Sequence, residues 1–214
     1  MTLYGSDTGC PEQDAPYKSS RLHQREIVSK STDYYLTGEI GEPEDYIDLC
    51  TLLRNAAPTD EITLRINSGG GSVATGIQII NAINECEGHV RGYIEQECGS
   101  MATLIYLACH AWNLSEYAEF FIHTSSGGYF GKESDAWKYA KFSRRQNTKM
   151  IKKSYAGFLT DDEIKKVIEG QDFYFDSEQI LERLDQFVAY HRGTSAAVKD
   201  DIEMVMLPKV SKYS

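Results

Sequence analysis

Four short stretches of the chain read as strands, one by strict alternation of apolar and polar positions, and apolar positions recur at helical spacing between them. Ile62-Thr63-Leu64-Arg65-Ile66 alternates and is rich in β-branched residues, which predicts a strand with one buried face. Tyr34 to Thr37 is a shorter run of this type, closed by Gly38, and Val90 to Ile94 and Glu119 to Ile122 complete the set. Glu42-Pro43-Glu44 opens a helix, because proline suits a first turn and carboxylates suit the positive end of the dipole; Tyr46, Leu49, Cys50 and Leu53 form its buried face. Val73, Ile77, Ile80 and Ile83 predict a second helix whose stripe faces the core, stopped by Gly88. Met101 to Cys109 is continuously apolar and predicts a third, buried helix. Strand then helix, three times over, predicts an α/β domain of largely parallel strands joined by right-handed crossovers. In such a domain functional loops gather beyond the strand C-termini.

The second half is more polar. Lys132 to Phe158 predicts a long, charged helix with Ala136, Ala140, Met150 and Ile151 among its few apolar sites; helices this polar project from a core or lie between subunits. Thr160-Asp161-Asp162-Glu163 is a capping box that opens a helix ending at Gly170. Gln171 to Phe175 is an aromatic run, and Asp176 and Ser177 are both suited to cap a helix from Glu178 to Leu184. Residues 1–20 read as a flexible N-terminal arm rich in Gly, Asp, Ser and Pro, residues 21–190 as one domain, and residues 191–214 as a tail without clear period.

Composition narrows the function classes. Hydrophobic residues at 41% and charged residues at 25% are ordinary for a soluble globular chain. A formal net charge of −10 opposes nucleic acid or an anionic membrane as partner. The first twenty residues hold no apolar segment of signal-peptide type, and no run is long enough to span a bilayer. Cys10, Cys50, Cys86, Cys98 and Cys109 are odd in number and form no Cys-x-x-Cys, so reduced thiols in a cytoplasmic compartment are expected. His23, His89, His110, His123 and His191 show no ligand spacing, so neither a metal nor another cofactor is expected.

Two junctions carry candidate chemistry. Gly69-Gly70-Gly71 follows the Ile62–Ile66 strand, where glycines are entropically costly unless backbone must approach something closely. Cys98-Gly99-Ser100-Met101 joins the next strand to the apolar helix; Gly99 would permit a sharp turn and raise the Ser100 hydroxyl to a helix N-terminus. His123 ends the Glu119–Ile122 strand, and Asp172 precedes the aromatic run. Acyl transfer needs a hydroxyl to attack, an imidazole to take its proton and return it to the leaving group, and a carboxylate to fix the imidazole. Histidine suits the middle role because its ordinary pKa is about 6.5. Singly, each residue has a plainer reading. Ser100 could N-cap a buried helix, His123 could bond local backbone, and Asp172 could cap a turn. A phosphate loop at Gly69–Gly71 would lack both Gly-x-Gly-x-x-Gly and the Walker lysine.

Taken in order, Ile66-Asn67-Ser68-Gly69-Gly70-Gly71-Ser72-Val73, Ser100-Met101, Phe121-Ile122-His123, Gly127-Gly128-Tyr129-x-Gly131, and Asp172 after the Thr160–Gly170 helix resemble the proteolytic subunit of the Clp protease, over roughly Ser31 to Gln186. The resemblance implies a Clp-type, crotonase-like spiral of ββα units with a projecting handle helix at Lys132–Phe158. It implies a cytoplasmic serine endopeptidase, in a bacterial or phage-infected cell. Ser100 would be the nucleophile, His123 the base and Asp172 its orienter. The N–H groups of Gly71 and Met101 would form the oxyanion hole, and Gly70, Gly127 and Gly128 would hold extended substrate backbone. The implied partners are polypeptide substrates, further copies in a heptameric or tetradecameric ring, and an ATP-driven unfoldase. Relatives in bacteriophages that mature capsid proteins offer the same chemistry on another substrate. A crotonase-fold acyl-CoA enzyme would share the oxyanion hole without needing all three side chains, and a catalytically dead ring subunit would not keep them. Three departures from the family pattern stand out. Gly69 replaces a proline, Glu97-Cys98-Gly99 replaces Gln-Ala-Ala, and Gln171 stands where an arginine involved in ring-to-ring coupling is usual.

Overall fold

The computed structural model describes residues 28–124 and 132–194. Its centre is a mixed sheet in the order β1-β2-β3-β5-β6, with β4 also paired to β3. The strands are β1 (Ser31–Ile40), β2 (Glu61–Gly71), β3 (His89–Gly99), β4 (Ala111–Leu114), β5 (Glu119–Ile122) and β6 (Phe173–Phe175). All pairs are parallel except β5 with β6. The crossovers carry α1 (Ile47–Arg54, entered through a 3-10 turn at Pro43–Tyr46), α2 (Val73–Glu85) and α3 (Met101–Ala108). The second half supplies α4 (Glu133–Ser154), α5 (Asp161–Glu169) and α6 (Ser177–Thr194). The α/β class read from the alternating pattern is therefore the observed one. None of the helices among the described residues is long and apolar enough to cross a membrane.

Strand alternation sets the core. Ile62, Leu64 and Ile66 on β2 and Val90 and Ile94 on β3 are buried on the face that receives the helices. Gly92 interrupts the β3 row because the Tyr106 ring of α3 lies there; a Cβ at 92 would come within 2.6 Å of Tyr106 Cδ2. Helix α3 is buried from Met101 to Leu107.

Four expectations are corrected. The stripe of α2 is rotated: Thr75, Gly76, Ile79, Ala82 and Ile83 are buried, whereas Ile77 is 43% exposed. Gly76 sits on the inner face because the Met101 side chain occupies the space a Cβ would need. Gly38 does not end β1; with φ +78 it forms an irregularity after which Glu39 and Ile40 pair with Gly70 and Gly71. The three glycines are thus the paired end of β2 and not a free loop. Helix α4 stops at Ser154, where Tyr155 caps it and Gly157 turns the chain with φ +86. Helix α6, capped by Asp176 through its bond from the Gln179 N–H, runs well beyond Leu184.

Helices α5 and α6 and strand β6 are fastened by one ion pair. Arg183 donates to both Glu163 oxygens, at 3.0 and 2.7 Å, and to the Phe158 carbonyl at 3.0 Å. Its guanidinium also lies over the Phe175 ring, 4.2 Å from the centroid, so the clamp reaches the strand that follows Asp172. The Thr160–Glu163 capping box is formed as expected. Arg183 first, with Thr160 assisting against the cost of burial, holds the Glu163 carboxyl down at about 2.

An unfolded glutamate titrates near 4.3, so between the two values the unfolded chain binds the extra proton. The clamp's contribution is then complete above about pH 5, on the order of 2–3 kcal/mol, and fades as pH falls towards 2. Glu163→Gln should therefore melt several degrees below the parent at pH 7, with the gap narrowing at pH 3; a gap independent of pH would show that the charge is not what holds the two helices together.

Candidate active site

Parallel pairing brings the ends of β2, β3 and β5 to one edge of the sheet. There Gly38, Glu39, Gly69, Gly70, Gly71, Val73, Glu97, Ser100 and His123 line a single cavity of about 580 Å³. Ser100 and His123, half-buried, share this space with Gly70 and Gly71.

Ser100 is built unlike a capping serine. It occupies the N-cap position of α3 but makes no side-chain cap bond, so its hydroxyl is not consumed by the helix. Its backbone stands at φ 50 and ψ −120, the one positive φ outside glycine among the described residues. The sharp turn thus falls on the serine itself and not on Gly99, which continues β3. Gly99 is required for another reason: a Cβ there would meet the Gly69 carbonyl oxygen at 2.9 Å. The turn is pinned by the Ser100 N–H, which donates to the Phe121 carbonyl at 2.8 Å, two residues before His123.

The glycine edge packs directly on this turn. A Cβ at Gly70 would stand 2.6 Å from Ser100 Cβ, 2.7 Å from the Gly99 oxygen and 2.8 Å from Met101 N. Gly70 has φ +99 and Gly71 φ +147, and a Cβ at 71 would run into the Ile40 carbonyl. Ser68, fully buried, holds the edge in place by donating to the Gly38 carbonyl at 2.5 Å and accepting from Gly70 N–H at 3.1 Å. Met101 N, at the first turn of α3, belongs to the group of helix N–H donors that have no intrahelical acceptor.

His123 is aligned by an aromatic stack. Its ring lies 4.9 Å from Phe121 at 13°, and Phe121 lies 4.5 Å from Tyr174 at 19°. Ile122 pairs with Phe173 and Phe121 with Tyr174 in antiparallel register; His123 directly follows β5 and Asp172 directly precedes β6, at the same end of the pair. The Phe121 and Tyr174 rings lie on one face of this strand pair. Asp172 is exposed and does not line the cavity. Among the described residues no hydrogen bond links Ser100 Oγ to His123 or His123 to Asp172. Gly127 and Gly128 lie outside the described residues.

Cys98, two residues from Ser100, is no rival nucleophile. It is fully buried, and burial pushes its thiol well above the ordinary value, so it stays protonated. Among the described residues no cluster of three or more His, Cys, Asp or Glu side chains is arranged to hold a metal ion. The cavity residues that pattern reading passed over are Glu39, Glu97, Val73 and Gly38. Their signal was position alone: Glu97 and Val73 flank strand ends that carry candidate groups, and Gly38 and Glu39 lie near the end of β1, which pairs with the glycine edge.

Backbone held at such dihedrals by a non-glycine residue costs on the order of 1–3 kcal/mol. Ser100→Gly should relieve this and melt above Ser100→Ala by a few degrees, with both variants inactive; equal melting temperatures would show that the turn is not strained.

The family model described as Clp protease matches residues 23–183, which include every described residue of the cavity, Met101 and Asp172. That span covers most of the chain, and it takes in all the strands and the helices from α1 to α5 whole. With its mixed α/β sheet and the serine-bearing turn at the strand ends, the chain belongs to the Clp protease family.

Proposed function

We propose that the chain is a serine endopeptidase in which Ser100, His123 and Asp172 act as nucleophile, base and orienter. The observation that carries this reading is the uncapped, strained Ser100 facing the same cavity as His123 and the glycine edge. Ser100 Oγ attacks the scissile carbonyl carbon while its proton passes to the imidazole. The carbonyl oxygen, now negative, is received by the N–H groups of Gly71 and Met101. The C–N bond then breaks, the imidazolium returns its proton to the leaving amine, and water releases the acyl group by the reverse route. Asp172 keeps the imidazole in one tautomer and balances its transient charge. Hydroxyl–imidazole contacts are commonly loose before substrate arrives, which fits a site whose members face one cavity without yet bonding. Extended substrate backbone would run along Gly70, with Gly127 and Gly128 completing the track.

Clp proteases act on proteins and typically form oligomeric rings. Helix α4 is polar yet exposes Trp137 and Phe142, at 70% and 51%, which supports a role as the handle between subunits. An ATP-driven unfoldase and a cytoplasmic setting follow from the same reading.

A fluorophosphonate probe applied to the full chain should label Ser100, and Ser100→Ala should abolish labelling. His123→Ala should lower labelling and peptide cleavage at least a hundredfold without loss of fold, and Asp172→Asn should lower cleavage by a comparable or smaller factor. Persistent labelling of Ser100→Ala would sink the assignment. Run on gel filtration, the labelled species should elute far above the 24.1 kDa monomer if rings form.

Glu39 and Glu97 give the cavity a negative rim, and no cation among the described residues pairs with either. Peptides with lysine or arginine near the cleaved bond should therefore be preferred over acidic ones, more so at low salt. Glu97→Gln should narrow that preference severalfold in kcat/KM; an unchanged ratio would remove Glu97 from substrate selection.

A further inference from the structure

We propose that Thr103 and Tyr155 are positioning residues for the Met101 N–H, the donor that would receive the oxyanion. This rests on the reading of Ser100 as nucleophile. The Ser100 carbonyl and the Met101 N–H belong to one planar peptide unit, so whatever fixes the C=O fixes the direction of the N–H. That carbonyl accepts twice from one residue: from Thr103 N–H at 3.1 Å and from Thr103 Oγ1 at 2.6 Å.

Thr103 Oγ1 also lies 2.6 Å from the Tyr155 hydroxyl. A hydroxyl has one proton to give. Thr103 gives its proton to the Ser100 carbonyl, so Tyr155 is the donor to Thr103. The result is a directed relay, Tyr155 O–H to Thr103 O–H to Ser100 C=O, in a site with no solvent: Thr103 is 0% and Tyr155 2% exposed. Burial pushes the Tyr155 phenol up, so it remains a donor throughout the range in which the site works.

Two features separate this from routine satisfaction of a buried threonine. First, the peptide plane it holds follows a serine at φ 50, a conformation that persists only where surrounding bonds over-determine it. Second, the donor at the head of the relay comes from outside the helix. Tyr155 ends α4, and its own carbonyl is tied down by the N–H groups of Phe158 and Leu159 at 3.1 and 2.9 Å. Hydrogen bonds in series also polarise one another, and a carbonyl that accepts two of them sharpens the donor on the same amide.

Hydrolysis of a fluorogenic peptide amide by the full chain separates a positioning role from a structural one. Thr103→Val keeps the shape and loses both side-chain bonds; kcat should fall about tenfold with KM within twofold, less than the 10²–10³ typical for outright loss of an oxyanion donor. Thr103→Ser keeps the hydroxyl and should retain at least half the parent kcat. Tyr155→Phe removes only the outer donor and should lower kcat about threefold at unchanged KM. A peptide aldehyde, which mimics the tetrahedral state, should lose affinity in step with kcat. Parent-like kcat in Thr103→Val, or an equal fall in Thr103→Ser, overturns the proposal. If Thr103→Val does not fold, Tyr155→Phe decides alone: a parent-like kcat overturns it. Loss of fluorophosphonate labelling in Ser100→Ala alongside parent-like Thr103→Val leaves the peptidase reading standing and removes only the relay. Retained labelling in Ser100→Ala removes both.

Discussion

The site depends on one close contact of backbone with backbone. The end of β2 lies so near the β3–α3 turn that no side chain fits between them, Gly70 against Ser100 and Gly99 against Gly69, while Gly71 is pressed equally close to Ile40 of β1. Three glycines are entropically expensive, and the expense is offset only where close approach does something. Here it brings two lines of peptide together, so that Gly70 and Gly71 at the end of β2 and Ser100 at the head of α3 line one cavity. Every other element can be understood as keeping that contact in register. Ser68 ties β2 to the irregularity in β1, the Ser100 N–H ties the turn to β5, and Gly76 gives the Met101 side chain somewhere to go.

Much of this could be read along the chain. Strand alternation at Ile62–Ile66 and the apolar block after Ser100 identified the α/β class, and the ordered glycine, serine, histidine and aspartate blocks pointed to the family. Other features could not be read because they belong to tertiary contact. Gly99 was the natural residue to carry a positive φ, yet Gly99 is needed for its missing Cβ and Ser100 takes the strain. The α2 stripe of β-branched residues marked only part of the buried face: Ile83 is buried and Val73 and Ile80 pack against the core, but Ile77 is exposed while Thr75, bonded to the Gly41 carbonyl, and Gly76, against Met101, lie inward. The antiparallel pairing of β5 with β6, strands far apart in sequence, is a matter of register that no local period encodes.

Two departures from the family pattern touch one another. Gly69, where a proline is usual, and Glu97, where a glutamine is usual, are neighbours: a Cβ at 69 would stand 3.0 Å from Glu97 Oε1. The Glu97 carboxylate thus lies against the space a side chain at 69 would take, and both residues line the cavity. The Glu97 N–H is held by Asn67 Oδ1 at 3.1 Å, so the segment that carries the new charge is tied to β2 itself.

The histidine side of the site is supported differently from the serine side. Ser100 is fixed by backbone bonds and by the absence of space. His123 stands at the end of β5, aligned by the Phe121 and Tyr174 rings on a largely open face, where Tyr174 is 71% exposed. Asp172 immediately precedes β6, which is three residues long and has the Arg183 guanidinium over its Phe175 ring and the Glu163 pair behind that. The two cavity residues are thus held by different means, Ser100 by backbone bonds and close packing and His123 by ring stacking at a strand end.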